Sequence, residues 1–153
     1  MTELPRAIHD TITAERQFRA APAAVYKVFT DPALRSKLEP APEGFEMVYD
    51  QINFTVGGIE NGEMRQHGQT LATFEHRYLE IVPDRRYLFT VKVIANGQIM
   101  SCSKNTIEFL PQDGGTLCVC TEHVSWLHGA SMRTDHEGGW NGLLENAAGL
   151  LSE

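Results

Sequence analysis

The stretch APAAVYKVFTDPALRSKL, residues 21–38, decides the fold. Its first half carries apolar side chains at helical spacing. Its second half begins with Asp31-Pro32, an N-cap residue followed by proline at the first helical position. The stretch therefore predicts two short helices, about residues 22–29 and 32–38. The segment before it, His9 to Phe18, alternates between polar and apolar residues and predicts a strand.

The sequence after these helices is rich in strand signals. FEMVYD and INFTV predict short strands, and Gly57-Gly58 indicates a bend. Longer alternating runs follow, separated by the turn sequences PDRR, ANGQ and PQDGG, and Asn96-Gly97 is a typical hairpin turn. A last helix is predicted from Met132 to Leu151, because apolar residues recur there on one face.

This order of elements predicts one α+β domain over residues 1–153. Consecutive strands joined by tight turns form an antiparallel sheet, and a single long helix must bury its apolar face against that sheet. We therefore expect a curved antiparallel sheet of six to seven strands gripping a long C-terminal helix, with two short helices after strand 1. The space between sheet and helix is where a cavity could form.

Composition excludes several classes of partner. The chain has 153 residues, with 13 basic and 20 acidic side chains and a net charge of −7. This charge argues against a nucleic-acid surface and against docking on anionic membranes. No apolar run approaches the length of a membrane helix, and no secretory signal is visible at the N-terminus. With three cysteines, an odd number, we expect a cytoplasmic protein with free thiols.

Several short motifs, in order along residues 15–151, resemble the START-like helix-grip superfamily (SRPBCC). The resemblance is to the bacterial branch named for its similarity to the activator of the heat-shock-protein-90 ATPase. The matching residues are Ala21-Pro22-Ala23, Val25, Phe29-Thr30-Asp31-Pro32, Val56-Gly57-Gly58, Glu80-Ile81-Val82-Pro83-Asp84-Arg85-Arg86, Gly115-Thr116-Leu117, Thr121-Glu122, His136 and Gly139-Trp140. The branch often has a tryptophan after the second helix, where this chain has Leu38-Glu39-Pro40.

The resemblance implies the helix-grip fold and three kinds of function. The first is binding of a small hydrophobic or amphipathic ligand between the sheet and the C-terminal helix. The second is a cyclase- or hydrolase-type enzyme, for which His136 and Tyr78 would be the acid–base candidates. The third is a co-chaperone-like interaction domain. Because fold alone does not decide function, all three stay open here.

The last helix supplies two candidate ligand-binding residues, His136 and Trp140. They lie four residues apart and so share a face. They can contact a ligand or simply pack the helix onto the sheet. Gly138, Gly139 and Gly142 weaken this helix, and they would either let it approach the sheet closely or leave room beside it.

Strand residues supply the remaining candidates. Alternation places Tyr78 on one face with His76, and Phe89 on one face with Val91, and the family resemblance implies that both faces look inward. If Ile107 and Phe109 face the core, then Ser101, Ser103 and Asn105 also face inward, where buried polar groups need partners. Trp126, with His123 and His128, would close the cavity mouth. The predicted ligand-binding set is Tyr78, Phe89, Val91, Ser103, Asn105, Trp126, His136 and Trp140.

Other chemistry finds little support in the sequence. The histidine spacing matches no zinc signature, so neither a metal nor another cofactor is predicted. No nucleophile motif of the G-x-S-x-G type occurs. Cys118 and Cys120 are expected to pack in the sheet on its outward face, near Cys102. That face, or a sheet edge, could support a homodimer.

Overall fold

The computed structural model describes residues 3–153 and shows the helix-grip arrangement of strands and helices. The chain runs through seven strands and three helices, and a 3₁₀ turn at Pro32–Leu34 leads into the second helix. The elements are β1 (Ile8–Phe18), α1 (Pro22–Thr30), α2 (Arg35–Leu38), β2 (Glu46–Tyr49), β3 (Ile59–Gln66), β4 (Gln69–Val82), β5 (Arg86–Ala95), β6 (Gln98–Gln112), β7 (Gly115–Trp126) and α3 (Arg133–Leu150).

The strands form one antiparallel sheet in the order β1-β7-β6-β5-β4-β3-β2. Strands β2 to β7 follow the chain order, whereas β1 pairs with β7 along its whole length, from Ile8 opposite Trp126 to Phe18 opposite Thr116. The predicted fold class is therefore confirmed. Helix α3 packs against β1, α1 and α2, so the two short helices and α3 together cover the inner face of the sheet.

Aromatic rings fill much of the space between these layers. Tyr87 stacks on Phe89 and on Phe109, with ring centroids 5.7 and 6.2 Å apart. Phe29 and Tyr26 of α1 meet Phe109 edge-on at 5.3 and 5.4 Å. Edge-to-face and offset pairs of this kind add to the stabilisation that apolar burial provides.

The prediction of a strand at INFTV is wrong. Residues 50–58 form a loop between β2 and β3. Two hydrogen bonds tie its end to β4: Gly57 donates its amide to the Tyr78 carbonyl (2.8 Å), and Tyr78 donates its own to the Gly58 carbonyl (3.1 Å). Gly57 has a φ of +80°, a conformation that glycine adopts without strain and that interrupts an extended strand.

The prediction that Cys118 and Cys120 face outward is also wrong, because both are fully buried. Cys120 lies directly opposite Ile107, and Cys118 directly opposite Phe109, across the β6–β7 ladder. Residues that oppose each other across an antiparallel pair point to the same face, so these thiols share the core face with their partners. Cys102 is exposed, and all three cysteines are free.

The glycines of α3 do not serve a close approach to the sheet. A Cβ atom added at Gly138, Gly139 or Gly142 would meet nothing within 4 Å. The buried residues of α3 lie in its second half, from Leu143 to Ala148. The first half is therefore held by fewer apolar contacts, and Met132, expected on the inner face, is exposed.

Candidate functional site

A partly open cavity of about 40 Å³ lies between the short helices, the sheet and α3. Its walls come from the segment spanning the end of α1 to the end of α2, the β2–β3 loop, strands β4, β5 and β6, and α3. Most of the lining is apolar or aromatic, including Leu38, Phe54, Ile107 and Leu143. This volume is room for about three water molecules.

The turn after α1 brings charged side chains to the cavity. The Asp31 carboxylate accepts a hydrogen bond from the Ala33 amide (2.9 Å) and so caps the 3₁₀ turn. Because α2 follows at once, Arg35 and Glu39 stand one helical turn apart and form an ion pair, with Nε and Oε2 separated by 2.6 Å. The guanidinium carbon of Arg35 also lies over the Tyr49 ring, 4.7 Å from its centroid.

Glu60 pairs with Arg35 of this cluster, and its side chain is completely buried. Its Oε1 accepts hydrogen bonds from the Tyr78 hydroxyl (2.9 Å) and from Arg35 Nη1 (3.2 Å). Its Oε2 accepts the backbone amide of Asn53 (2.8 Å), which fixes the β2–β3 loop. A buried carboxylate needs partners of this kind because its desolvation is costly.

His76 presents an unsatisfied atom to this region. Its Nδ1 is buried and has no hydrogen-bond partner within the described chain. The ring stacks on Phe89 at 5.8 Å and meets Tyr49 edge-on at 6.3 Å. Burial, helped by the positive charge of Arg35, lowers the pKa of His76 below its usual 6.5. At neutral pH the imidazole is therefore uncharged, with one nitrogen able to accept a hydrogen bond and the other able to donate one.

Tyr78 is held in its protonated form. Burial raises the pKa of this phenol well above its ordinary value, and the negative charge of Glu60 acts in the same direction. The hydroxyl already donates to Glu60, so its remaining capacity is that of an acceptor. Burial likewise raises the pKa of Tyr87, another residue of the cavity wall.

A second polar cluster attaches the first half of α3 to the sheet. Buried Glu122 of β7 accepts hydrogen bonds from Trp140 Nε1 (3.1 Å) and lies 2.9 Å from His136 Nδ1. The His136 ring meets Trp126 edge-on at 4.7 Å. The Trp126 indole in turn donates to Asp10 (2.6 Å). These contacts replace the apolar packing that the glycine-rich part of α3 lacks.

Asp10 belongs to this attachment. Besides Trp126, its carboxylate accepts hydrogen bonds from Ser131 (2.6 Å) and Arg133 (3.2 Å). These hydrogen bonds, that of Ser131 first, lower the pKa of Asp10. The negative charge of Asp10 thus joins β1 to the start of α3.

Comparison with known proteins identifies the family. The profile described as "Activator of Hsp90 ATPase homolog 1-like protein" (AHSA1) matches residues 19–152. The chain belongs to the AHSA1 family. No functionally curated protein matches the chain.

Solved structures agree with the AHSA1 assignment. The Mll3558 protein from Rhizobium loti is 30% identical, with a TM-score of 0.82, over 95% of this chain and 99% of that one. The CV1439 protein from Chromobacterium violaceum is 28% identical, with a TM-score of 0.77, over 94% and 97% of the two chains. A protein from Rhizobium leguminosarum is 25% identical, with a TM-score of 0.78, over 93% of both chains.

The predicted ligand-binding residues of this AHSA1-family chain fall into three places. Tyr78, Phe89 and Trp140 line the cavity. His136 and Trp126 belong to the cluster around Glu122 and Asp10 instead.

The remaining three predicted residues lie on the inner face outside the cavity wall. Asn105 Nδ2 donates to Ser103 Oγ (3.0 Å), and both residues are buried. Val91 is partly buried against the core. The two buried polar residues thus satisfy each other rather than pointing into open space.

The unpredicted residues of these clusters include Arg35, Glu39, Glu60, His76 and Glu122. Glu122 stands in the family motif Thr121-Glu122, and His76 shares the inward register of Tyr78, so both had a signal in the sequence. Glu60 and Arg35 are 25 residues apart and meet only through the tertiary fold.

Of the helices within residues 3–153, none has the length and apolar character needed to cross a membrane.

Proposed function

We propose that this AHSA1-family protein binds a small hydrophobic or amphipathic ligand in the cavity between the sheet and α3. The observation that carries the proposal is the cavity itself, where mostly apolar walls surround a few polar groups. Small-molecule sites typically combine such walls with a few polar groups that orient the ligand. His76 Nδ1, the Tyr78 hydroxyl and Glu39 are the groups that would orient it here.

Binding requires the cavity to widen. Its present volume of about 40 Å³ suits a few water molecules and not an aromatic ring. Phe54 is the wall residue best placed to move, because it sits on the β2–β3 loop and not in a strand or helix. Its ring meets Tyr78 and Tyr87 edge-on at 4.9 and 5.2 Å, so an outward swing would open space above both.

Nuclear magnetic resonance titration with phenethyl alcohol tests this proposal. The protein has two tryptophans, and only Trp140 lines the cavity. We expect a saturable shift of the Trp140 indole N–H signal. The Trp126 signal should move little, because Trp126 does not line the cavity.

A cavity-filling variant completes the test. Leu143→Trp should weaken binding about tenfold or more, because the added ring occupies the ligand's space. Leu79→Trp is the matched control, since Leu79 lies on β4 with an exposed side chain. If Leu143→Trp does not fold, Phe89→Trp serves the same purpose. Absence of a saturable shift, or equal affinity in the cavity variant and its control, would overturn the proposal.

An enzyme of cyclase or hydrolase type is a second candidate, favoured by one observation. His76 offers an uncharged imidazole beside the cavity, and its unpartnered Nδ1 is a general base in the tautomer that carries the ring proton on Nε2. Tyr78, expected from the sequence as a second acid–base candidate, already donates its proton to Glu60 and would only accept a hydrogen bond from the substrate. A hydrolysable or cyclisable ligand that is turned over by the wild type and not by His76→Gln would support this function.

The cytoplasmic location and the homodimer remain predictions.

A further inference from the structure

The charges around the cavity indicate which class of ligand it accepts. Among the described lining residues, Arg35 is the one cationic side chain, whereas Asp31 and Glu39 are both acidic. Buried Glu60 adds a third carboxylate directly behind Tyr78 and Arg35. The site therefore holds more negative than positive charge, in a protein whose net charge is already −7.

The charge of Arg35 is already matched by two carboxylates. Its Nε is bonded to Glu39 and its Nη1 to Glu60, and one face of the guanidinium is covered by Tyr49. Its Nη2 can still donate, but an incoming carboxylate would be a further anion around this one cation and would leave negative charge without a counter-charge. Leaving a charge unpaired in a largely buried site is costly.

The site also contains hydrogen-bond acceptors that no group of the described chain uses. Glu39 is bonded through Oε2, so Oε1 remains available at the partly exposed mouth. The Tyr78 hydroxyl donates to Glu60 and can still accept. His76 Nδ1 has no partner, and it is an acceptor in the tautomer that carries the ring proton on Nε2. A hydroxyl or ammonium group can donate to such acceptors, whereas a carboxylate has no proton to donate.

From these contacts we infer that the cavity selects neutral or cationic amphipathic ligands, such as alcohols and amines, over carboxylates. The inference rests on the proposed function, because it names the ligand class of the same cavity. Fatty acids and other organic anions are therefore not its ligands. The aromatic walls, which include Phe54, Tyr87, Phe89 and Trp140, also favour a cationic head over an anionic one.

Three compounds with the same ring and different heads test this inference: phenethyl alcohol, phenethylamine and phenylacetate. Their affinities are compared at neutral pH and low salt through the Trp140 indole signal. We expect phenylacetate to bind at least about tenfold more weakly than the alcohol, and the amine to bind at least as tightly as the alcohol. The difference in affinity between phenylacetate and the alcohol should become smaller as added salt screens the carboxylates of the protein.

The variant Glu39→Gln tests the origin of the selectivity. It removes one negative charge beside Arg35 at the mouth, so it should strengthen phenylacetate binding and weaken phenethylamine binding by about three- to fivefold each, as suits a partly exposed charge. Glu43→Gln is the control: Glu43 is exposed, lies in the same connection between α2 and β2, and does not line the cavity.

The outcomes separate the two proposals. If none of the three compounds binds, the proposed function fails and this inference fails with it. If phenylacetate binds as tightly as the alcohol or more so, the ligand-binding function stands and the charge selectivity is overturned. Equal responses of Glu39→Gln and Glu43→Gln would also overturn it, because the cavity carboxylate would then play no part.

Discussion

At the scale of single residues, Glu60 should matter most for stability. Its two oxygens accept three hydrogen bonds, from Tyr78, Arg35 and the Asn53 amide, and the side chain is fully buried. In Glu60→Gln, one oxygen is replaced by an NH₂ group that faces donors. We expect the free energy of unfolding to fall by about 3 kcal/mol, as for other broken buried pairs. Urea denaturation followed by circular dichroism measures it.

Glu75→Gln is the matched control for this change. Glu75 also pairs with a basic residue, Lys92, at 3.6 Å, but both side chains are about one-third exposed. Solvated pairs contribute little, so the change should be within about 0.5 kcal/mol. Similar losses in the two variants would show that the buried network around Glu60 adds nothing particular to stability.

Single residues also show what the sequence could and could not predict. Alternation along a strand is local, so it gave the residues that share a face with Tyr78 and with Phe89, and the family resemblance correctly turned both faces inward. A buried carboxylate is not signalled by alternation, because a charged residue normally indicates a solvated position. The cation that pairs with Glu60 is Arg35, 25 residues earlier, and nothing in either residue's local sequence indicates that contact.

At the scale of elements, local chemistry predicted the helices well and one strand badly. Asp31-Pro32 divides the helical stretch as expected, because the Asp31 side chain caps the turn that follows. INFTV has strand-like composition, yet it forms a loop that turns back to bond β4 and Glu60. Strand preference reflects packing against neighbouring strands, and residues 52–56 have none to pair with.

The glycines in the first half of helix α3 lower its stability. Gly139 is exposed in the helix interior, and an added Cβ would meet nothing. Gly139→Ala should therefore raise the free energy of unfolding by about 0.5–1 kcal/mol, because alanine loses less backbone entropy on folding. Thermal and urea unfolding of the variant measure the change.

Gly58→Ala is the opposing case for the same substitution. There a Cβ would lie 2.4 Å from the Asn53 carbonyl oxygen and 2.8 Å from that of Thr55, so the loop must shift. We expect a loss of more than about 1 kcal/mol. A loss on Gly139→Ala would mean that the first half of α3 needs the glycine for a contact or motion absent from this conformation.

At the scale of the whole molecule, the order of strands along the chain was enough to predict the sheet, since hairpins bring consecutive strands together. Predicting which side chains of each strand face the core required more steps. The serines and Asn105 of β6 were placed correctly, whereas Cys118 and Cys120 were assigned to the wrong face because the β6–β7 register was unknown. A slip of one residue in an assumed register reverses every side chain on a strand.

The aromatic interior predicts how the whole molecule responds to alkaline pH. Burial raises the pKa of Tyr87, and that of Tyr78, above the ordinary value of 10. Below pH 10 both the folded and the unfolded chain keep these phenol protons, so stability is unaffected. Above it the unfolded chain releases protons that the folded chain retains. Stability should therefore fall as pH rises, by about 1.4 kcal/mol per pH unit for each such tyrosine.

Tyr87→Phe isolates this effect, because it keeps the buried ring and removes the titrating group. Urea denaturation of both proteins should show that the stability of the wild type relative to the variant falls by about 1 kcal/mol between about pH 10 and about pH 11, where the tyrosine of the unfolded chain goes from half to almost fully ionised. Tyr26→Phe, at a partly buried ring, should give a smaller change. If the difference in free energy of unfolding between the wild type and Tyr87→Phe stayed constant with pH, Tyr87 would ionise in the folded protein as it does in the unfolded chain. Water would then reach the cavity wall without unfolding.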